Sequence, residues 1–182
     1  MKNKKIKDTL IYIIQLIVMV VVTYFIFTFI VRPIKIVGPS MTPTVTDGDF
    51  AITNVIGLRG ELKRFDVVVI DCEELNEDII KRIIGLPGEV IEYKNDQLYV
   101  DGVKVSEDFL DIEYIEEAKK TYKTELFTTN FTYTVPEGEY FVLGDNRLNS
   151  RDSRNLGTFS KDQIVGKGGL TIFPFNHFRW IK

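Results

Sequence analysis

The pattern of apolar and polar positions divides the chain into two unequal parts. Residues 9–31 run for 23 positions without a charge. Wound as a helix they would cover about 35 Å, enough to cross a bilayer core with some tilt. Beyond them the apolar residues come in short runs, several alternating with polar ones as half-buried strands do. Strands are predicted over 65–70, 79–84, 90–93, 98–100, 103–105, 132–135, 140–143 and 170–173, with Asn95-Asp96 and Asp101-Gly102 as hairpin turns. Residues 34–37 read as a short extended lead into Gly38, and 113–120 as a turn or two of helix with acids early and lysines late. The polar stretch 106–130 is predicted to be a surface excursion, and short strands at close spacing predict an all-β, sheet or barrel-like domain.

Charge orients this arrangement. The first eight residues carry four lysines against Asp8, while the whole 182-residue chain has a net charge of −3. A basic start before an apolar span predicts an N-terminus in the cytoplasm and everything after Val31 outside it. A cleaved leader is the rival, but its core is shorter and ends at a small-residue site, whereas this run ends in Val31-Arg32-Pro33. The expected organisation is therefore a cytoplasmic tail over 1–8, a transmembrane helix over 9–31 and an extracytoplasmic domain over 32–182. An acidic body offers no basic surface for nucleic acid. One cysteine, Cys72, precludes an intramolecular disulfide, and with one histidine, His177, there is no zinc spacing. No metal or cofactor is expected. His177 is expected on the surface and Cys72 in the core.

Three stretches could carry chemistry. Gly38-Pro39-Ser40-Met41-Thr42-Pro43-Thr44 holds one serine between residues that restrict the backbone, nine positions past the span and so within about 30 Å of the bilayer. By itself it also reads as an ordinary loop serine. In residues 79–84, IIKRII, alternation puts Lys81 with Ile79 and Ile83, and Arg82 with Ile80 and Ile84. A lysine desolvated among isoleucines has its pKa lowered and can take a proton from a hydroxyl; the alternative is a stem that covers apolar surface while the amine reaches water. Residues 144–154, GDNRLNSRDSR, follow a strand with more hydrogen-bonding groups than solubility requires, which suits a network that fixes a catalytic group.

These blocks together, Ser40-Met41-x-Pro43-Thr44, Arg64-Phe65-Asp66-Val67-Val68, Lys81 through Gly88, and Gly144-Asp145-Asn146-Arg147 through Arg154, resemble type I signal peptidases in their order behind an N-terminal anchor. The resemblance covers about residues 5–175 and is to the short Gram-positive form. It implies a serine endopeptidase that cuts signal peptides from secretory precursors after small residues. Ser40 would be the nucleophile and Lys81 the general base. Ser150 would orient the lysine, Asp152 would lie beside it and Arg154 would pair with Asp152; Asp145 and Arg82 would form a supporting pair. Where members with a larger insert carry a serine two positions before the nucleophile, this chain has Gly38, so the oxyanion would rely on the Ser40 N–H with help near Gly38. An extended precursor would lie along Ile36, Val37, Pro39 and Met41 on one side and Asp78, Ile79 and Ile80 on the other, next to the lipid bilayer of the cell membrane. Phe173, Phe175, Phe178 and Trp180 would sit at the membrane interface.

Two other classes compete. A Ser-His-Asp hydrolase would need His177 and lacks a Gly-x-Ser-x-Gly setting; a cysteine protease would need Cys72, whose acidic neighbours disfavour a thiolate. A membrane-anchored β-domain that binds a partner, or a catalytically inactive relative, fits the anchor and strands but leaves the lysine among isoleucines unexplained.

Overall fold

The computed structural model describes residues 2–181, with side chains from Lys7 onward. Met1 and Lys182, the outer ends of the predicted tail and outer domain, lie outside the described residues. The first element is α1 (Lys2–Phe29). The predicted tail does not break from the span: the backbone is helical from Lys2. Within α1, Lys7–Phe29 is long and apolar enough to cross a membrane, and none of it is buried against the protein. The helix stops two residues short of the predicted end. Val31 already opens β1 (Val31–Lys35), where β-branched residues and an edge-tolerated Pro33 pair with β2 (Phe50–Asn54) in the register Val31↔Asn54 to Lys35↔Phe50.

The remaining strands are β3 (Val67–Cys72), β4 (Glu77–Gly85), β5 (Val90–Lys94), β6 (Gln97–Val100), β7 (Val103–Val105), β8 (Phe131–Thr134), β9 (Glu139–Leu143), β10 (Phe159–Ser160), β11 (Ile164–Phe173) and β12 (Arg179–Ile181). They form a large sheet in the order β1-β2-β11-β3-β4-β9-β10, with β12 on β11, and a small sheet in the order β7-β6-β5-β8. Every pairing in both is antiparallel. The predicted hairpins at 95–96 and 101–102 are both present, with Asn95, Asp96 and Asp101 in the left-handed region their type requires.

The central strand β4 explains the plan. Ile79 and Ile83 enter one core with Val68, Ile70, Cys72 and Phe159; Ile84 enters a second with Ile91, Tyr93 and Phe141; and Ile80 packs on a third built by Ile36, Met41, Val45 and Val67. Both faces of β4 are therefore covered, and Lys81 and Arg82 are each 3% exposed.

Several elements escape the pattern. β2 is short, and β11 runs 10 residues where only its last four read as a strand. Glycines 166, 168 and 169 interrupt its periodicity, and its register with β2 slips between Lys167 and Leu170, the mark of a bulge. The stretch 106–130 is more than a surface excursion. It carries α2 (Ile112–Tyr122), capped by the Asp111 carboxylate on the Tyr114 N–H, and buries Ala118, Phe127 and Thr128. His177 is not a free surface residue either: Nδ1 lies 2.7 Å from the buried Asp49 carboxylate.

Candidate active site

The turn that carries Ser40 is shaped by a few local bonds. Gly38 adopts φ 84°, which a side chain would strain, and its N–H donates to Asp47 Oδ1 at 2.9 Å. Downstream, Val45 N–H donates to the Met41 carbonyl at 3.1 Å, while Met41 and Val45 sink into the third core. From the far end of the sequence, the Asn146 N–H donates to the Ser40 carbonyl at 3.0 Å and its amide to the Pro39 carbonyl at 3.2 Å. The nucleophile's backbone is thus clamped from both sides.

Lys81 reaches this turn from β4. Its Nζ lies 3.0 Å from Ser40 Oγ and donates to the Ile80 carbonyl at 2.8 Å. Burial pulls its pKa down from 10.5 to about 8, against an upward pull from Asp152 above all. Arg82, one position on, faces the other way. Its Nε and Nη2 donate to the two Asp145 oxygens at 2.8 and 2.7 Å, its Nη1 donates to the Phe65 carbonyl at 2.8 Å, and its guanidinium lies 4.0 Å from the Phe109 ring centre. The Thr44 hydroxyl donates to the same carboxylate, which ties the serine turn to this pair.

Asp152 caps the short helix α3 (Ser153–Leu156) and receives Arg154 Nε and Nη2, each at 2.8 Å, and the Gly144 N–H at 3.0 Å. Burial pushes this carboxyl up, but Arg154 and the Gly144 N–H outweigh it and hold it below the usual range. Gly144 packs so closely that a Cβ there would collide with the Ser40 carbonyl and Ser150. Ser150 Oγ is buried beside Gly144 and next to the Asp152 carboxyl, which it helps to hold low; Lys81 Nζ bonds Ser40 Oγ and the Ile80 carbonyl rather than this hydroxyl.

A cleft of about 430 Å³ opens in front of Ser40 and Lys81. Of the predicted binding residues, Ile36, Val37, Met41, Asp78, Ile79 and Ile80 line it. Pro39 does not; its carbonyl is turned to Asn146. Lys35, Leu75, Glu77 and Arg151 also line the cleft and were not legible as binding residues, since nothing in their spacing marks them. Asn146 and Arg147 carry no signal of their own beyond the motif in which they stand. Arg147 is fully buried, donating to the Gly144 carbonyl at 3.0 Å, Tyr93 Oη at 2.7 Å and Glu107 at 2.6 Å. It thereby fastens the loop after β9 to the small sheet.

A β-domain behind one membrane-length helix, with a serine hydroxyl against a desolvated lysine at the head of a cleft, defines the class: a membrane-anchored serine hydrolase. Residues 9–173 match the family model described as signal peptidase, peptidase S26. The chain is 40% identical to signal peptidase IB of Staphylococcus aureus (strain MRSA252), over 96% of this chain and 94% of that protein, and 39% identical to signal peptidase I U of Bacillus subtilis (strain 168), over 100% and 95%. A crystal structure of a signal peptidase I from Enterococcus faecalis V583 superposes with a TM-score of 0.51 at 41% identity, over 59% of this chain and 97% of that one. The chain belongs to the signal peptidase family, peptidase S26, and is a serine peptidase of that family.

Proposed function

We propose that this chain removes signal peptides from secretory precursors by a Ser40–Lys81 acyl-enzyme mechanism on the outer side of the cell membrane. The observation that carries the reading is the 3.0 Å approach of Lys81 Nζ to Ser40 Oγ, with the amine's pKa brought to about 8 by burial. The neutral amine takes the Ser40 proton as Oγ attacks the scissile carbonyl. The tetrahedral oxyanion is received by the Ser40 N–H, which no protein group engages among the described residues, next to the Gly38 turn. The protonated lysine returns its proton to the leaving amine, which becomes the new N-terminus of the released protein. Lys81 then activates the water that hydrolyses the ester. Asp152, Arg154 and Ser150 support the lysine's surroundings, and the apolar floor made by Ile36, Met41 and Ile80 favours small side chains before the cut.

The lysines that precede the apolar helix support the membrane placement. The N-terminus lies in the cytoplasm and the β-domain outside, with Ser40 close to the bilayer. The outward face of β1, β2, β11 and β12 presents Pro33, Phe50, Phe173 and Trp180, and Phe175 and Phe178 extend it. Such a face suits the headgroup region. The test is cleavage of a labelled secretory precursor in vesicles by the full chain and by Ser40→Ala and Lys81→Ala. One cut after a small residue, lost in both folded variants, is the expected result. Cleavage by Ser40→Ala, or none by the unaltered chain, would leave an anchored binding domain as the better account.

A further inference from the structure

Two peptide groups flank the Ser40 Cα, and one residue holds both. The Pro39 carbonyl accepts from the Asn146 side-chain amide at 3.2 Å, and the Ser40 carbonyl accepts from the Asn146 N–H at 3.0 Å. The first bond bears on the chemistry through geometry. In a planar trans peptide the carbonyl and the N–H point in opposite directions. The Pro39–Ser40 bond is trans, so the Pro39 carbonyl shares its plane with the Ser40 N–H, the donor proposed to receive the oxyanion. Fixing the one aims the other. Neither residue before Ser40 can share that load: the Gly38 N–H is spent on Asp47 Oδ1 at 2.9 Å, and Pro39 has none. The Thr42 N–H, 3.1 Å from the Pro39 carbonyl, closes the turn on itself. Among the described residues, Asn146 alone ties that carbonyl to the rest of the domain.

Asn146 is itself held firmly. Asp145 before it is gripped by Arg82 through bonds of 2.8 and 2.7 Å, and Arg147 after it is buried against Gly144, Tyr93 and Glu107. Asn146 is 4% exposed, and its Oδ1 is buried with no partner among the described residues. Packing alone would favour an apolar side chain there, so the bond to the Pro39 carbonyl is what calls for an amide. We infer that Asn146 is the positioning residue of the oxyanion hole: by holding the Pro39 carbonyl, its side-chain amide aims the Ser40 N–H at the tetrahedral oxygen. This rests on the proposed reading that Ser40 attacks a precursor carbonyl. The aim matters most in the transition state, because negative charge reaches that oxygen only as Oγ adds. Asn146 moves no proton, so its effect is separate from that of Lys81.

The experiment uses the full chain in detergent micelles, a fluorogenic peptide, and two inhibitors of the same sequence. A peptide aldehyde adds Ser40 Oγ and places its oxygen where the oxyanion forms; the matching peptide alcohol binds without adding. Asn146→Ala removes the amide and keeps the backbone N–H, while Asn146→Asp keeps the shape and sets a carboxylate oxygen against the Pro39 carbonyl. Loss of a whole oxyanion donor costs about a hundredfold to a thousandfold in kcat, and a donor left in place but unaimed should cost about tenfold to a hundredfold. Each variant is expected to lose kcat on that scale, to bind the aldehyde more weakly by a similar factor, and to keep KM and the alcohol's affinity. In Asn146→Ala the pH midpoint of kcat/KM should stay where it is. Unchanged kcat, an equal loss of aldehyde and alcohol, or a displaced midpoint in Asn146→Ala overturns the assignment. Thermal unfolding identifies a variant that fails to fold, and the other then decides; loss of the fold in both makes Asn146 a residue of stability and overturns it too. Failure of the unaltered chain to cut the peptide instead removes the reading on which the assignment rests.

Discussion

If Lys81 is the base, the rate must follow its protonation, and the structure sets where. At pH 7 a lysine of ordinary pKa 10.5 is neutral in about one molecule in 3,000. With the pKa at about 8, the neutral fraction at pH 7 is about one in ten, so burial raises the active population about 300-fold. The value of kcat/KM should climb about tenfold for each pH unit below that midpoint and level off above it. The second perturbation is Asp152→Asn. Asp152 is the foremost of the charges that hold the lysine pKa up, and its loss leaves the Arg154 guanidinium without its partner. Both changes disfavour the ammonium, so the rising limb should move to lower pH. The assay is cleavage of a fluorogenic peptide by the full chain in micelles between pH 5.5 and 10. A midpoint near 10.5, or an Asp152→Asn limb displaced to higher pH, would refute the reasoning.

Three further outcomes are expected. Lys81→Met should stabilise the folded domain at pH 7. A buried amine whose pKa falls from 10.5 to about 8 penalises the fold fully below the folded pKa and ceases to do so as pH rises from 8 toward 10.5. That penalty is about 3 kcal/mol before the amine's lost hydrogen bonds are counted, leaving about 1–2 kcal/mol of gain; a lower Tm for the variant would contradict it. Gly144→Ala should reduce kcat at least tenfold with a loss of about 1–3 kcal/mol in stability, because its methyl would displace the Ser40 carbonyl and Ser150; unchanged kinetics would mean that the serine turn is not held there. Trp180, the only tryptophan and 70% exposed, should be quenched by brominated lipid in vesicles. Emission insensitive to the lipid would detach the aromatic face from the membrane.

The sequence by itself determined the anchor, most strands of the domain, both hairpins and the stretches that hold Ser40, Lys81 and Asp152. These are local facts: an uncharged run of membrane length, period-two alternation, and Gly, Asn and Asp where the backbone must turn. It could not determine what depends on side chains far apart in the chain. Alternation placed Lys81 and Arg82 on opposite faces of β4 without saying that both faces are covered. That followed only when three separate cores closed around the strand. The carboxylate that satisfies Arg82 lies 63 residues away, and the residue that clamps the Ser40 carbonyl lies beyond it, at Asn146. β11 was hidden by glycines whose use, a bulge against β2, appears only in the sheet. The cleft is the clearest case. It exists because the end of β1 and the first half of β4, distant in sequence, come to the same gap without pairing as strands. Local pattern can report which residues prefer burial; only the closure of the sheet decides which of them meet.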